Sequence, residues 1–432
     1  MNERPPAPPD RGYYFKFLKS DVLIVRMTLE DNGFRETLNP SQNWTLMWST
    51  SAIKLHIYPQ LQKYQKINHF PKSIELTRKD CMYKNMSKMI SLYGSRHFTF
   101  VPKTFILPEE HRQLAEEMES DLSKYWIVKP SASSQGKGIF VTNNYAEISS
   151  KANHIVSRYI DNPLLIDGYK FDLRIYVALT SIHPLRIYVY EEGLVRFATG
   201  QYSNELEYNR GNRFVHLTNY SVNKNSENFL PNIDPEKDGI GSKWSLSALK
   251  RFFEKNGIEH RIIFEKIEDI LIKAILAIEP VVHNQVENHV PFKNNCFELL
   301  GFDILLDKFY DPWLLEVNLS PSMNCDSPLD QKIKGDMIAD LFTMIGIVPL
   351  DIRNYLSNMP NDKFSKQILH YSQGTPGMNR KSLHKNVGYN ISFNKNESHI
   401  SKLELEILRD SEEEFRRLID IEKEDLKEYF LL

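Results

Sequence analysis

Cysteine is scarce in this 432-residue chain: Cys81, Cys296 and Cys325 are the only three. They form neither a disulfide framework nor a metal-type spacing, so a reducing compartment is the plain expectation. Long apolar runs are also missing. None reaches the roughly 20 residues that cross a bilayer, and the proline-rich, polar stretch Met1–Gly12 has no signal-peptide core. No internal repeat occurs. The net charge is only −2, yet it is uneven. Residues 54–103 hold 10 Lys/Arg against 2 Asp/Glu, residues 366–395 hold 5 basic residues and no acid, and residues 401–432 hold 6 basic against 11 acidic. Two basic regions on a near-neutral chain point either to an acidic partner, nucleic acid or polypeptide, or to lysines scattered over solvated faces.

What remains is a globular composition, 41% hydrophobic and 25% charged, in a length that admits two or three domains or one multi-lobed enzyme. Apolar periodicity and end signals predict a helix over Ser20–Asn32 with Ser20 as N-cap, and a second from a Thr77 cap to Leu92, closed by Gly94. Further helices are expected over Glu109–Ser120, Leu246–Asn256, Glu259–His283 and Leu329–Ile345. Strands are expected over Trp44–Trp48, Lys103–Leu107, Tyr125–Lys129, Gly138–Thr142, His154–Arg158, Phe171–Thr180, Leu185–Tyr190 and Leu194–Ala198. Gln373–Ser398 reads as a linker, and Ser401–Phe430 as a helix rich in Glu/Lys pairs.

The densest chemistry lies near residue 300. Phe297–Asp307 and Pro312–Asn318 are apolar, strand-like runs with carboxylates set into them, joined by the polar turn Lys308–Asp311. If Asp307 pairs with Pro312, Asp303 falls opposite Glu316, with Asn318 on the same face. Facing carboxylates repel unless a cation lies between them. Asp, Glu and Asn offer oxygen ligands only, which suits Mg²⁺ that also holds phosphates; the bland alternative is two strands with solvent-facing acids.

Other constellations are weaker singly. Pro130–Ile139 is a Gly- and Ser-rich loop flanked by Lys129 and carrying Lys137, suited either to a phosphate cover or to a plain hairpin loop. It lacks the Walker A and G-x-G-x-x-G orders, and a strand rather than a helix follows it. His154–Ile160 is either a core strand or an edge that offers backbone groups to an adenine ring. In Lys170–Arg174, Asp172 suits a ribose hydroxyl and Lys170 and Arg174 suit phosphates, or the run is a surface ion-pair ladder. His216–Lys224 interleaves polar and apolar side chains. Lys243 and Lys334, each alone, fit solvated faces.

Their order (lysine strand, Gly-rich flap, hinge strand, charged strand, arginine, Thr-Asn loop, acidic hairpin) resembles the ATP-grasp architecture. More closely, Trp126–Pro130, Gln135–Gly138, Ser157–Ile160, Lys170–Arg174, His216–Tyr220 and Trp313–Ser322 resemble the tubulin tyrosine ligase-like family, over about Phe34–Gly346. Ser327–Lys334 resembles its polyglutamylase branch. The resemblance implies an α/β (α+β) ATP-grasp fold with ATP held between two sheets. It implies a disordered segment 1–18, an N-terminal lobe 19–108, a central lobe 109–198, a C-terminal lobe 199–352 with the metal hairpin, and a linker and helical tail 353–432.

The resemblance further implies that Lys129, Gln135, Gly136, Lys137, Ser157, Arg158, Tyr159, Ile160, Lys170, Phe171, Asp172, Thr218 and Asn219 hold ATP. Asp303, Glu316 and Asn318 would hold Mg²⁺, and Arg196, Tyr220, Ser221, Lys243 and Lys334 the incoming amino acid, with Arg196 and Glu316 catalytic. Three cations and two hydroxyls suit free L-glutamate, with two carboxylates, better than glycine; Arg196 can clasp a carboxylate with two bonds. The implied activity is ATP-dependent addition of glutamate to side-chain carboxylates in the acidic tail of tubulin, through an acyl phosphate. A glycine or tyrosine ligase, or a non-catalytic tubulin-binding relative, is the alternative. The expected partners are tubulin and microtubules, not nucleic acid or membrane, for a monomer of cytoplasm and cytoskeleton, with cilium and basal body as candidate places. Two stretches depart from the family: Thr199–Gln201 stands where an acid often follows Ala-Thr, and Ile400–Arg417 resembles only the start of a larger basic microtubule-binding region.

Overall fold

The computed structural model describes residues 13–19, 21–38, 44–131, 136–203, 210–232, 234, 237–347 and the backbone of Phe415–Ile421. Three sheets organise a mixed α/β architecture. The first is parallel, in the order β2-β1-β3-β4: β1 is Tyr14–Leu18, β2 Arg35–Glu36, β3 Leu46–Ser49 and β4 Lys66–Ile67. The helix Leu23–Asp31 makes the crossover that a parallel pair requires. Residues 1–18 were expected to be unstructured, but Tyr14–Leu18 is a central strand whose Phe15 is fully buried.

The second sheet is antiparallel, β5-β8-β6-β7, from β5 Thr104–Ile106, β6 Trp126–Pro130, β7 Phe140–Thr142 and β8 His154–Arg158. It has its own small core of Phe105, Leu114, Trp126 and Val128. The third and largest contains β9 Leu165–Ile166, β10 Tyr169–Ile182, β11 Leu185–Gln201, β12 Lys243–Ser245, β13 Glu298–Leu306, β14 Pro312–Asn318 and β15 Phe415–Ile421. Its path is β12-β11-β10-β13-β14, with β9 on β10 and β15 on β11.

The long strand β10 explains where the site lies. Successive side chains alternate between faces. Leu173, Ile175, Val177 and Leu179 enter the core that includes Leu249, Phe253, Ile267 and Leu271 of the helices Leu246–Lys255 and His260–Leu276. On the other face Tyr176 and Ala178 pack with Phe15 and with Ile333 and Met337 of the helix Pro328–Met344. Further back on that same face stand Lys170, Asp172 and Arg174. One face is thus apolar where other elements cover it and charged at its far end.

The first and third sheets are joined directly. Ile67 N donates to Asn295 O at 2.8 Å, and Phe297 N to Ile67 O at 3.1 Å. Beneath this seam the buried His69 ring lies between Glu298 Oε1, 2.5 Å from Nδ1, and Ser49 O, 2.8 Å from Nε2. The second sheet meets the third near residues 162–164, where Leu164 N donates to Leu306 O and Lys308 N to Asn162 O.

Several elements differ from expectation. Thr77 is no cap: it ends a separate turn, Ile74–Thr77, and the next helix, Lys79–Tyr93, starts after Arg78. The two strands around Glu192 are one strand, β11, with irregularities in its pairing to β10. Glu259–His283 breaks after Leu276, and a new helix, Glu279–His289, starts with Pro280 in its first turn, where the missing N–H is harmless. Part of the expected terminal helix, Phe415–Ile421, is a strand antiparallel to Leu185–Tyr190. An open sheet edge offers unpaired backbone groups that override local helix preference. Ser20, the linker Gln373–Ser398 and the rest of that terminal helix lie outside the described residues. Among the described residues no helix is long and apolar enough to cross a membrane.

Candidate active site

A cavity of about 470 Å³ opens between the second and third sheets. Its walls include Lys129 at the end of β6, Gly136 and Lys137 from the following loop, and Ser157, Arg158, Tyr159 and Ile160 from β8 and beyond. Lys170 and Asp172 of β10, the segment Thr218–Ser221, and Asp303, Glu316 and Asn318 complete it. Sixteen of the residues assigned from sequence therefore surround one space. Phe171 does not: its ring lies on the opposite face, 5.6 Å from that of Phe197. Arg196, Lys243 and Lys334 are buried behind the wall, and Gln135 lies outside the described residues.

The hairpin reaches its facing carboxylates by another register. Leu306, not Asp307, pairs with Pro312, and a bulge between Asp303 and Ile304 restores the Asp303–Glu316 pair. Ile304 pairs with Leu314, so Leu315 is the extra residue. The bulge keeps Glu316 and Asn318 turned toward Asp303.

Side chains answer the repulsion expected between these acids. Arg174 clasps Asp303 through Nε at 2.6 Å and Nη2 at 3.2 Å. Arg196 Nη2 lies 3.0 Å from Asp303 Oδ2 and 2.6 Å from Asp172 Oδ2, while its Nε donates to Asp172 Oδ1 at 2.8 Å. Thr218 Oγ1 donates to the same Asp172 at 2.6 Å. The charged strand is an ion-pair ladder after all, but a buried one on a cavity wall. Burial opposes the charge on Asp303, yet Arg174 and Arg196 hold it well below the usual carboxylate range. Glu316 meets Lys79 Nζ at 2.9 Å. Burial disfavours the Lys79 charge, but Glu316 more than offsets this and raises its pKa.

The cavity residues fit a nucleotide and a hard cation. Lys129 is buried at the cavity and makes no hydrogen bond or ion pair among the described residues, a costly state unless an anion comes to it. Gly136 has φ +74, and a Cβ there would come within 2.9 Å of Val222 Cγ2, so only glycine lets this turn approach the Leu217–Val222 segment. Lys170 donates to Tyr159 Oη at 3.2 Å, and Tyr159 Oη lies 2.8 Å from His216 Nδ1. Burial, opposed by Asp172 and reinforced by Lys129, pushes Lys170 down to about 7. Asn318 Nδ2 donates to Gly301 O at 3.2 Å and lies 3.5 Å from both Asp303 Oδ2 and Glu316 Oε1, so three oxygen-bearing side chains converge. An all-oxygen set of two carboxylates and one amide suits Mg²⁺.

Sequence reasoning missed Lys79, His216 and Asp330. Lys79 had no signal beyond the basic run 54–103. Asp330, fully buried, accepts from Lys243 Nζ at 2.5 Å. It stands three residues after Ser327, whose hydroxyl accepts from Asp330 N at 3.2 Å, and four before Lys334. That cap pattern and the i,i+4 spacing were legible.

Fold and cavity together define a mixed α/β protein with an ion-paired, oxygen-rich cleft between two antiparallel sheets. Residues 59–355 match the Tubulin-tyrosine ligase family, and the chain belongs to that family. It is 46% identical over 346 residues to tubulin polyglutamylase TTLL5 of Homo sapiens, covering 80% of this chain and 27% of that protein. It is 40% identical over 351 residues to tubulin monoglutamylase TTLL4 of Homo sapiens, covering 81% and 29%. With tubulin polyglutamylase TTLL6 of Homo sapiens the identity is 41% over 336 residues, covering 77% and 37%. The chain spans well under half the length of these relatives.

Proposed function

We propose that this chain is an ATP- and Mg²⁺-dependent ligase of ATP-grasp architecture that adds glutamate, by isopeptide bonds, to glutamate side chains in the acidic tail of tubulin. The observation that carries this reading is the one cavity that joins Lys129, buried and without a partner among the described residues, to the Asp303, Glu316 and Asn318 group. The names of the relatives support glutamate and tubulin. Two of the three are polyglutamylases and one a monoglutamylase, and we read this chain as a polyglutamylase.

Lys129, Lys137 and the Gly136 turn hold phosphate oxygens, and Ser157–Ile160 lies along the base. Asp303, Glu316 and Asn318 hold the metal, which when bound neutralises phosphate charge. A carboxylate oxygen of the acceptor attacks the terminal phosphorus and ADP departs. The amine of free glutamate then attacks the acyl carbon, loses a proton, and inorganic phosphate leaves. Arg196, fixed by Asp172 and Asp303, stands ready to stabilise the oxyanion of that second step.

The test is the mass of tubulin tails after incubation with protein, Mg-ATP and equal glutamate, glycine and tyrosine. Serial glutamate increments with wild type, lost by at least about a hundredfold in Glu316→Gln, are expected. A glycine or tyrosine increment overturns the amino-acid assignment; a single increment on every tail overturns polymer formation; near-wild-type Glu316→Gln overturns the metal assignment.

A further inference from the structure

Behind the cavity, Asp330 joins two lysines that come from different elements. Lys243 opens β12, and Lys334 lies one turn past Asp330 on the helix Pro328–Met344. All three are buried. Lys243 Nζ donates to Asp330 Oδ2 at 2.5 Å, and Lys334 Nζ lies 2.8 Å from Oδ1. The second contact is a charge pairing and not a hydrogen bond, because Oδ1 has no partner of hydrogen-bond geometry. Lys334 instead donates to Asn324 O at 2.5 Å, on a loop that borders the cavity. Lys243 also sits over the Tyr220 ring, 4.7 Å from its centroid, and Tyr220 lines the cavity. Each ammonium has three N–H donors, and these contacts leave some of them unused.

Among the groups in direct contact the charges do not cancel: two cations share one carboxylate, leaving a surplus of one positive charge within the cluster. The Arg174, Arg196, Asp172 and Asp303 ladder beside them is balanced, two against two. We propose that Asp330 is a positioning residue that binds Lys243 and Lys334 into one clasp of single net positive charge, and that this clasp takes one carboxylate of the incoming amino acid. The inference rests on the ligase reading above and adds to it how the amino-acid pocket is built and charged.

Without Asp330, two ammonium groups stay close together with no shared counter-ion. Repulsion and burial then lower their pKa values, so one sheds its proton and neither is held. Burial already presses Lys243 down, and Asp330 offsets part of that push; Lys334 presses further and Asp326 opposes it. Asp330 itself is kept ionised by Lys334 and Lys243 against its burial. The other groups facing the cluster are Tyr220, Tyr176 and Cys325. Asp326 attracts Lys243 through space but makes no hydrogen bond or ion pair with either lysine among the described residues, so Asp330 is the carboxylate in direct contact with both.

The experiment compares wild type with Asp330→Asn, Asp330→Glu, Lys334→Gln and the double variant Asp330→Asn/Lys334→Gln. Glutamate affinity is measured by calorimetry with a non-hydrolysable ATP analogue present, and KM and kcat by glutamate incorporation from pH 6 to 9. Asp330→Asn is expected to weaken glutamate about tenfold, the scale of one charge-assisted contact, with nucleotide affinity unchanged. The loss grows with rising pH, Asp330→Glu recovers part of it, and the double variant is little worse than either single one. An unchanged or tighter glutamate KM in Asp330→Asn, a pH-independent loss, or a fall in kcat alone overturns the clasp. Additive losses in the double variant also overturn it. Should Asp330→Asn fail to fold, Lys334→Gln and Asp330→Glu still decide: no change in glutamate affinity in Lys334→Gln overturns it. Wild-type protein that binds nucleotide but no amino acid overturns the ligase reading itself, and the clasp with it.

Discussion

Lys170 shows how much one buried charge can govern. Its ordinary pKa of 10.5 falls to about 7 because burial outweighs the attraction of Asp172, with Lys129 adding to the push. Unfolded, the side chain keeps its proton through that whole interval. Between about pH 7 and 10.5 the unfolded state binds more protons, so this residue makes stability rise with pH across the window and costs most below it. A phosphate bound beside Lys170 would restore the charged form. Nucleotide binding at pH 8 should therefore take up a fraction of a proton, read by calorimetry in two buffers of different ionisation enthalpy. Lys170→Met should abolish that uptake, weaken nucleotide at least about tenfold, and raise the melting temperature; equal heats in both buffers for wild type would sink the assignment. At this scale the residue types were legible in sequence. Their pairing was not: Lys79 with Glu316 and Lys243 with Asp330 join residues far apart in the chain, and no local pattern announces such contacts.

Among the elements, the β13–β14 hairpin was the most readable, from apolar runs around a polar turn. Its face was predicted correctly and its register was not. The expected pairing of Asp307 with Pro312 treats both strands as regular, whereas Leu315 bulges and shifts the pairing at the turn by one. A bulge changes alternation without changing composition, so sequence periodicity cannot reveal it. The merged strand β11 and the helix break at Leu276 differ from expectation in opposite senses: the polar residues around Glu192 look like a boundary but are absorbed into one strand, whereas Pro280 falls inside an apolar periodicity that runs on as one helix and in fact starts a new one. Gly301 in β13 is held small by its neighbours. A Cβ there would lie 2.8 Å from Pro321 Cβ and 3.2 Å from Arg174 Cδ. Gly301→Ala should cost about 1–3 kcal/mol in urea unfolding and reduce turnover by displacing the Arg174 clamp of Asp303. Wild-type stability and activity together would show that the strand gives way.

Across the whole molecule, the basic run 54–103 maps largely onto the surface of the N-terminal part. Lys54, Lys72 and Lys88 are exposed and have no acidic partner among the described residues, whereas Lys84 and Lys103 pair with Glu109 and Glu117. Unpaired surface cations act at a range set by the Debye length, roughly 8 Å at physiological salt. Affinity for a tubulin tail peptide, followed by fluorescence anisotropy, should fall several-fold between low and high salt, while nucleotide affinity changes less. Charge reversal at Lys54, Lys72 and Lys88 together should reproduce the high-salt value. Salt-insensitive peptide binding would place the acceptor path elsewhere.

The seam at Ile67 and the His69–Glu298 contact have a mechanical meaning. They rivet the first sheet to the third, so these two form one fixed jaw, and it carries Lys79, Asp303 and Glu316. The second sheet has a small core of its own, and it joins the rest through the short backbone seam at residues 162–164, the Tyr159, Tyr202 and Val215 cluster, and Ile106 and Ile155, which enter the main core. It carries Lys129 and the loop that follows. A nucleotide that enters the cavity would therefore meet a broad riveted wall on one side and, on the other, a smaller sheet that presents Lys129, unpaired among the described residues.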